Sequence, residues 1–113
     1  MASDNKEFLH SLHPLLPEDL IAIQSDDYDY KQVPCCHLLI DKSDSKRMIK
    51  LNQTGVLIWG LCTEQRSLGE IVEILADAFE QDRAVVHEDV SRVMDHLLAE
   101  NVVINSNNVE LPE

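Results

Sequence analysis

No stretch of this chain reaches the roughly 18–20 consecutive apolar residues that a membrane-spanning helix needs. The start, MASDNKEF, has neither the basic nor the apolar region of a secretory signal, so a cytoplasmic location is expected. Basic residues are few: 9 Lys and Arg against 21 Asp and Glu, a net charge of −12. Binding to phosphate backbones or to anionic lipid needs the opposite balance, so neither nucleic acid nor membrane is expected as a partner. Cysteine is limited to Cys35, Cys36 and Cys62, an odd count with an adjacent pair, which is not a disulfide framework. Free thiols in a reducing compartment are expected instead. There are only three glycines, Gly55, Gly60 and Gly69, and no phosphate-cradling loop or dinucleotide fingerprint. G-x-S-x-G and H-E-x-x-H are also missing, so neither catalysis nor a cofactor is expected. Metal chemistry fares no better. Cys35, Cys36 and His37 are consecutive, and His10 and His13 lie close together. Structural zinc wants four ligands from spaced pairs, and neighbours along a strand face opposite ways.

What is present is enough for one small globular domain, with 113 residues of which 44% are hydrophobic. Residues 1–19 carry Phe8, Leu9, Leu12, Leu15 and Leu16 between prolines and read as an arm, with a short helix over 4–13 ended by Pro14. Residues 20–25, LIAIQS, read as a first strand, and 26–30, DDYDY, as an acidic connection. Residues 31–33 stay extended up to Pro34. A second strand over 36–41, CHLLID, turns through KSDSK into an antiparallel third strand over 47–51.

The strongest local signal follows. Asn52 is placed to cap a helix of two or three turns, with Leu51 and Val56 flanking it as a hydrophobic staple. Ile58, Trp59 and Cys62 then recur at helical spacing as core. Ser67 and Glu70 form a capping box for a second helix over 67–80. Its apolar stripe runs Leu68, Ile71, Val72, Leu75, Ala76 and Phe79. After a loop over 81–86 a third helix over 88–100 carries Val90, Val93, Met94, Leu97 and Leu98, with Asn101 suited to the position past its end. A short extended segment over 102–104 and a frayed polar tail over 105–113 complete the chain. The expected fold is α+β: a three-stranded antiparallel sheet followed by three helices, similar to a winged helix-turn-helix with the sheet placed first.

Four of the nine basic residues, Lys42, Lys46, Arg47 and Lys50, fall on or just before the third strand. Such a strip either protects an exposed edge from aggregation or keeps it open for one partner strand. Alternation puts Arg47, Ile49 and Leu51 on one face, with Ile49 and Leu51 toward the core, and Lys46, Met48 and Lys50 on the other.

From about residue 36 to 104 the chain resembles the PqqD family. The resemblance is carried by HLLID and by Leu51, Asn52, Thr54, Gly55, Ile58 and Trp59. It continues in Ser67, Leu68, Glu70, Ile71, Val72, Leu75 and Phe79, and ends in Asp89, Val90, Leu97 and Val102. What it implies is a non-catalytic recognition element for ribosomally made, post-translationally modified peptides. The leader of a precursor peptide would add as a strand to the third strand, in a groove closed by the third helix, and its core would be presented to a modifying enzyme. The peptide-binding residues are then Lys46, Arg47, Met48, Ile49, Lys50 and Leu51, with Val90, Met94 and Leu97 along one edge of the third helix. Arg92, off that stripe, is either solvated or paired with an acidic peptide residue. Two departures from the family's simplest form are the nineteen-residue arm and the longer DDYDYKQVPC stretch. On this reading the domain spans 20–104.

Two other functions fit the same elements. One is an adaptor subunit that stabilises a modifying enzyme. The other is a DNA-binding winged helix, against which the third helix sets Glu88, Asp89, Asp95 and Glu100 beside Arg92. The arm and the strand edges are also compatible with a homodimer.

Overall fold

Backbone geometry follows from the capping residues. In a computed structural model, which describes residues 15–111, Asn52 Oδ1 accepts the Gly55 N–H at 2.7 Å and opens helix α1, Gln53–Leu61. A Cβ on Gly55 would lie 3.2 Å from that same oxygen and 3.5 Å from the Leu51 side chain, so glycine lets strand and helix meet closely. Ser67 and Glu70 form the expected reciprocal capping box at the start of α2, Leu68–Phe79. Helix α3, Arg83–Ala99, starts five residues earlier than its apolar stripe suggested. Asp82 caps it by accepting the Ala84 N–H at 2.8 Å, and buried Val86 extends the stripe back one turn. Asn101, at φ 62°, ends it in a Schellman motif: Asn101 N–H donates to the Leu98 carbonyl and Val102 N–H to Leu97, both at 3.1 Å.

The strands are arranged differently from the expectation. A three-stranded antiparallel sheet does precede the helices, but its order is β2, Tyr28–Val33; β3, Cys36–Asp41; β4, Met48–Leu51. The last three residues of the acidic DDYDY stretch, Tyr28, Asp29 and Tyr30, therefore enter the sheet, while Asp26 and Asp27 stay in a turn. Tyr28 and Tyr30 share one face while Asp29 and Lys31 take the other, a period-2 pattern that suits an edge strand. Val33 pairs with Cys36, so Pro34 and Cys35 make a two-residue turn. The segment expected to be the first strand is β1, Ala22–Gln24, and it pairs instead with β5, Val103–Asn105. That small second sheet draws the two ends of the domain together. Of the tail expected to fray over 105–113, the stretch 105–109 is held: the Asn105 side chain bonds both backbone groups of Val109, and the Asn107 side chain reaches Ile21 and Asp19.

The core lies between the inner face of the sheet and the helices, centred on Leu20, Leu39, Ile58, Ile71, Met94 and Leu97. Ile58 is fully buried, as expected. Trp59 is only half-buried, stacked on Tyr30, and its buried indole N–H has no hydrogen-bond partner among the described residues. Phe79, placed on the buried stripe by its spacing, is 56% exposed at the last residue of α2. The Cys62 thiol, wholly buried, is pushed up to about 12 by loss of hydration and donates to the Ile58 carbonyl. Among the described residues no helix is long and apolar enough to cross a membrane. The helix expected over 4–13, with His10 and His13, lies outside the described residues.

The last residues of the expected arm dock on the helices. Leu16 is buried; its N–H donates to Ser91 Oγ at 2.9 Å, and the His87 Nε2–H donates to its carbonyl at 2.9 Å. Gly69 lies under Glu18, where a Cβ would come within 3.0 Å of the carboxylate. Glu18 and Glu73 both grip the Arg83 guanidinium. The bond from Arg83 holds the Glu18 carboxyl below its ordinary 4.5. A depressed carboxyl stabilises the fold above its unfolded pKa and loses that contribution as pH falls through the folded value. Glu18→Gln is therefore expected to lower Tm at about pH 7 by at most a few degrees, and to leave it unchanged at about pH 2, where both forms are neutral. Paired melts by circular dichroism check this; an equal Tm deficit at both pH values would show that packing, not charge, holds the segment.

Candidate functional site

The site is built around the free edge of β4. Along β4 and β3 the register is Met48 to Ile40, Ile49 to Leu39, Lys50 to Leu38 and Leu51 to His37. The Asp41 N–H donates to the Arg47 carbonyl at 3.0 Å, which makes 41 and 47 a hydrogen-bonded pair. Antiparallel ladders alternate, so Ile49 and Leu51 also bond inward to β3, and the N–H and C=O of Met48 and Lys50 point away from the sheet. Among the described residues no strand lies on that side. The edge is short and is fixed at both ends. Before it, Asp41 and Asp44 fold the turn with local side-chain bonds to Ser43 and Lys46. The Ser43 hydroxyl and N–H hold the Asp41 carboxyl below the usual carboxylate range. After it, Asn52 starts α1.

Facing this edge across a groove of about 280 Å³ is α3. Lys50, Leu51, Asn52 and Gly55 form one wall, and Arg92, Val93, His96 and Leu97 the other. The groove thus has an apolar floor, Leu51, Leu97 and Val93, and a nitrogen-rich rim. Of the residues expected to bind peptide, Lys50, Leu51, Arg92 and Leu97 are brought together here. Lys46 is exposed in the turn just before β4, and Met48 is 52% exposed on the outer face of the sheet. Ile49 packs from the inner face against the core.

Three other expected residues lie elsewhere. Val90 and Met94 are buried in the core rather than along the groove; Met94 meets the Cys62 thiol at 3.9 Å. Arg47 turns inward, over the Tyr28 ring at 5.5 Å and against Asp41 and Glu100. Its guanidinium also donates to the Glu100 carbonyl at 3.2 Å, so it ties the sheet to the end of α3. The sequence reading missed Val93 as a groove residue, along with His96, Asn52 and Gly55. A usable signal existed: 89, 92, 93 and 96 recur at helical spacing on the flank next to the buried stripe.

The basic residues of α3 are committed. Arg92 is held by Glu88 at 3.7 Å and Asp89 at 3.2 Å, and Arg83 by Glu18 and Glu73. This leaves α3 poorly suited to phosphate. A second concavity opens at the β2–β3 turn and shares Lys50, Leu51 and Asn52 with the groove. Its inner side is an ordered polar and aromatic stack. The His37 Nε2–H donates to Gln53 Oε1 at 3.3 Å, which leaves Nδ1 to accept the Tyr30 hydroxyl at 2.8 Å, and Tyr30 lies between the His37 and Trp59 rings.

Comparison with curated proteins gives no match. Among solved structures, one described as TbiB1 in complex with the TbiA(beta) leader peptide has the same fold, with a TM-score of 0.62. It is 19% identical and covers 78% of this chain and 99% of its own. The family model for coenzyme PQQ synthesis protein D (PqqD) matches residues 36–103, from the first residue of β3 into β5. That span takes in β4, the Asn52 corner and all three helices, and on it the chain belongs to the PqqD family.

Proposed function

We propose that this protein captures the leader segment of a ribosomally made precursor peptide as an added strand on β4, and presents the rest of that peptide to a separate modifying enzyme. The observation that carries this reading is the unpaired edge itself. Met48 and Lys50 direct their main-chain groups outward, beside a groove whose floor is Leu51 and Leu97. Strand addition draws affinity from such main-chain bonds and specificity from side-chain pockets. The solved structure of the same fold, whose description names a bound leader peptide, supports it.

The chemistry of the groove describes the ligand. An apolar side chain fits over Leu51, Val93 and Leu97, and an acidic one beside Lys50 and Lys46. Arg92 adds less, since Glu88 and Asp89 already hold it. The recognition domain reaches beyond the expected 20–104, since Leu16 at one end and Val109 at the other pack on the same core, and its role is binding rather than catalysis. A second reading, docking onto the modifying enzyme as an adaptor, is favoured by an apolar face on α1 and α2 where Leu57, Ile74 and Phe79 stand exposed. That face lies on elements other than β4, so both roles can operate at once.

The test is a titration of the candidate precursor's leader segment into isotope-labelled protein. The amides of Met48 and Lys50 are expected to shift most and to gain protection from hydrogen exchange, with Val93 and His96 responding and Phe79 silent. The affinity is expected to weaken as salt rises. Saturable binding that leaves the Met48 and Lys50 amides unchanged would reject strand addition at this edge.

A further inference from the structure

Cys35 and Cys36 depart from the rule that neighbouring side chains point to opposite faces of a strand. Cys35 belongs to the two-residue turn, and only Cys36 lies on β3. Their sulfurs come to 3.1 Å, within thiol–thiol hydrogen-bonding distance. Cys35 is exposed and Cys36 half-exposed, so a small solute reaches both. They line the second concavity together with Lys50, whose ammonium stands close enough to favour a thiolate at Cys36. The shared proton acts the other way and more strongly: the bond to Cys35, with some loss of hydration, raises the Cys36 thiol above its ordinary 9.0. Cys35, the fully exposed member of the pair, is the sulfur presented to solvent.

We propose that Cys35 and Cys36 form a peroxide-reactive dithiol that closes reversibly into a vicinal disulfide at the end of the peptide groove. Cys35 gives its proton to solvent, and the thiolate attacks a hydroperoxide: an S–O bond forms, the O–O bond breaks, and Cys35 becomes a sulfenic acid while the departing oxygen takes a proton back from solvent and leaves as water or alcohol. The Cys36 sulfur then attacks Cys35. An S–S bond forms, the S–O bond breaks, and the released hydroxide takes the Cys36 proton to leave as water. Two thiols are oxidised by two electrons and one peroxide is reduced.

Reversibility follows from geometry. Adjacent Cα atoms stand about 3.8 Å apart across a trans peptide, whereas unstrained disulfides span about 4.4–6.8 Å. The closed ring is strained, and strained disulfides are readily reduced by glutathione. Closure also remakes the β2–β3 turn. Lys50, Leu51 and Asn52 line both that concavity and the groove, so the groove end changes shape with the redox state. Any effect on leader affinity rests on the function proposed above; the site itself does not.

The 113-residue chain, reduced and then treated with one equivalent of hydrogen peroxide, is expected to lose the mass of two hydrogens. The loss should map to the fragment holding both cysteines and be restored by glutathione. Cys62, fully buried, serves as the internal control and is titratable only after denaturation. Cys36→Ser should halt at a dimedone-trappable sulfenic acid on Cys35. In the wild type the Lys50, Leu51 and Asn52 amide signals should move on oxidation, and in Cys36→Ser they should not. Two surviving thiols, oxygen gain on one sulfur without loss of two hydrogens, or a disulfide-linked dimer as the main product would overturn the proposal. These readouts use no leader peptide, so they can fail while strand addition stands, and the reverse.

Discussion

Lys50→Pro is expected to weaken leader binding about five- to 160-fold while leaving the fold intact, the loss of one main-chain bond to the peptide being worth about 1–3 kcal/mol. Proline removes the backbone donor, and its ring occupies the space a neighbouring strand would enter. Lys50 sits opposite Leu38 at a position whose N–H points away from β3, so no bond within the sheet is lost. Two companions make the result specific. Ile49→Pro removes a donor that points into the sheet, so it breaks a ladder hydrogen bond and should lower the melting temperature well below that of Lys50→Pro. Lys50→Ala keeps the main-chain donor and deletes only charge, so it should cost less affinity than Lys50→Pro and flatten the salt dependence. Calorimetric titration with the leader segment, alongside thermal melts, separates the three. If Lys50→Pro is folded and binds as tightly as the wild type, the β4 edge is not where the peptide adds.

Leu97→Ala is expected to reduce stability by about 2–5 kcal/mol, the range for emptying a buried leucine site. Leu97 is 0% exposed, yet it also forms the floor of the groove, so its truncation acts on the fold before it acts on the ligand. Val93, half-buried on the groove side of α3, reverses the balance. Val93→Ala should cost little stability and lower leader affinity several-fold through lost apolar contact. Urea denaturation gives the first quantity, and titration well below the melting temperature gives the second. A stability loss under about 1 kcal/mol for Leu97→Ala would contradict its place in the core.

The contrast between those two residues shows where reading the sequence stops. Caps are written within four residues, and three were legible: Asn52 with Gly55, Ser67 with Glu70, Asn101 past the end of α3; the Asp82 cap of α3 was passed over as loop. The corner from β4 into α1, the basic edge strand and the alternation of Ile49 and Leu51 against Lys50 are local in the same sense. So is the family pattern, whose motifs lie in one ordered run. By themselves these determined an α+β domain with an accessible strand ahead of three helices.

What the tertiary structure decided depends on partners far away in the chain. Ala22–Gln24 finds Val103–Asn105 across about eighty positions, and no nearby residue encodes that pairing. DDYDY reads as a connection by its acidity, and its last three residues become strand because Tyr28 has Arg47 and the Glu100 carbonyl to pack and bond against. The helical stripe of α3 marks a buried face but not its rotation relative to β4. Burial of Val86, Val90, Met94 and Leu97 in the shared core goes with one rotation, which leaves Val93 and His96 beside the edge. Local sequence fixes each element through short-range hydrogen bonds and periodicity. Which flank of an element becomes a site is settled only when a second element, distant in sequence, packs against the first.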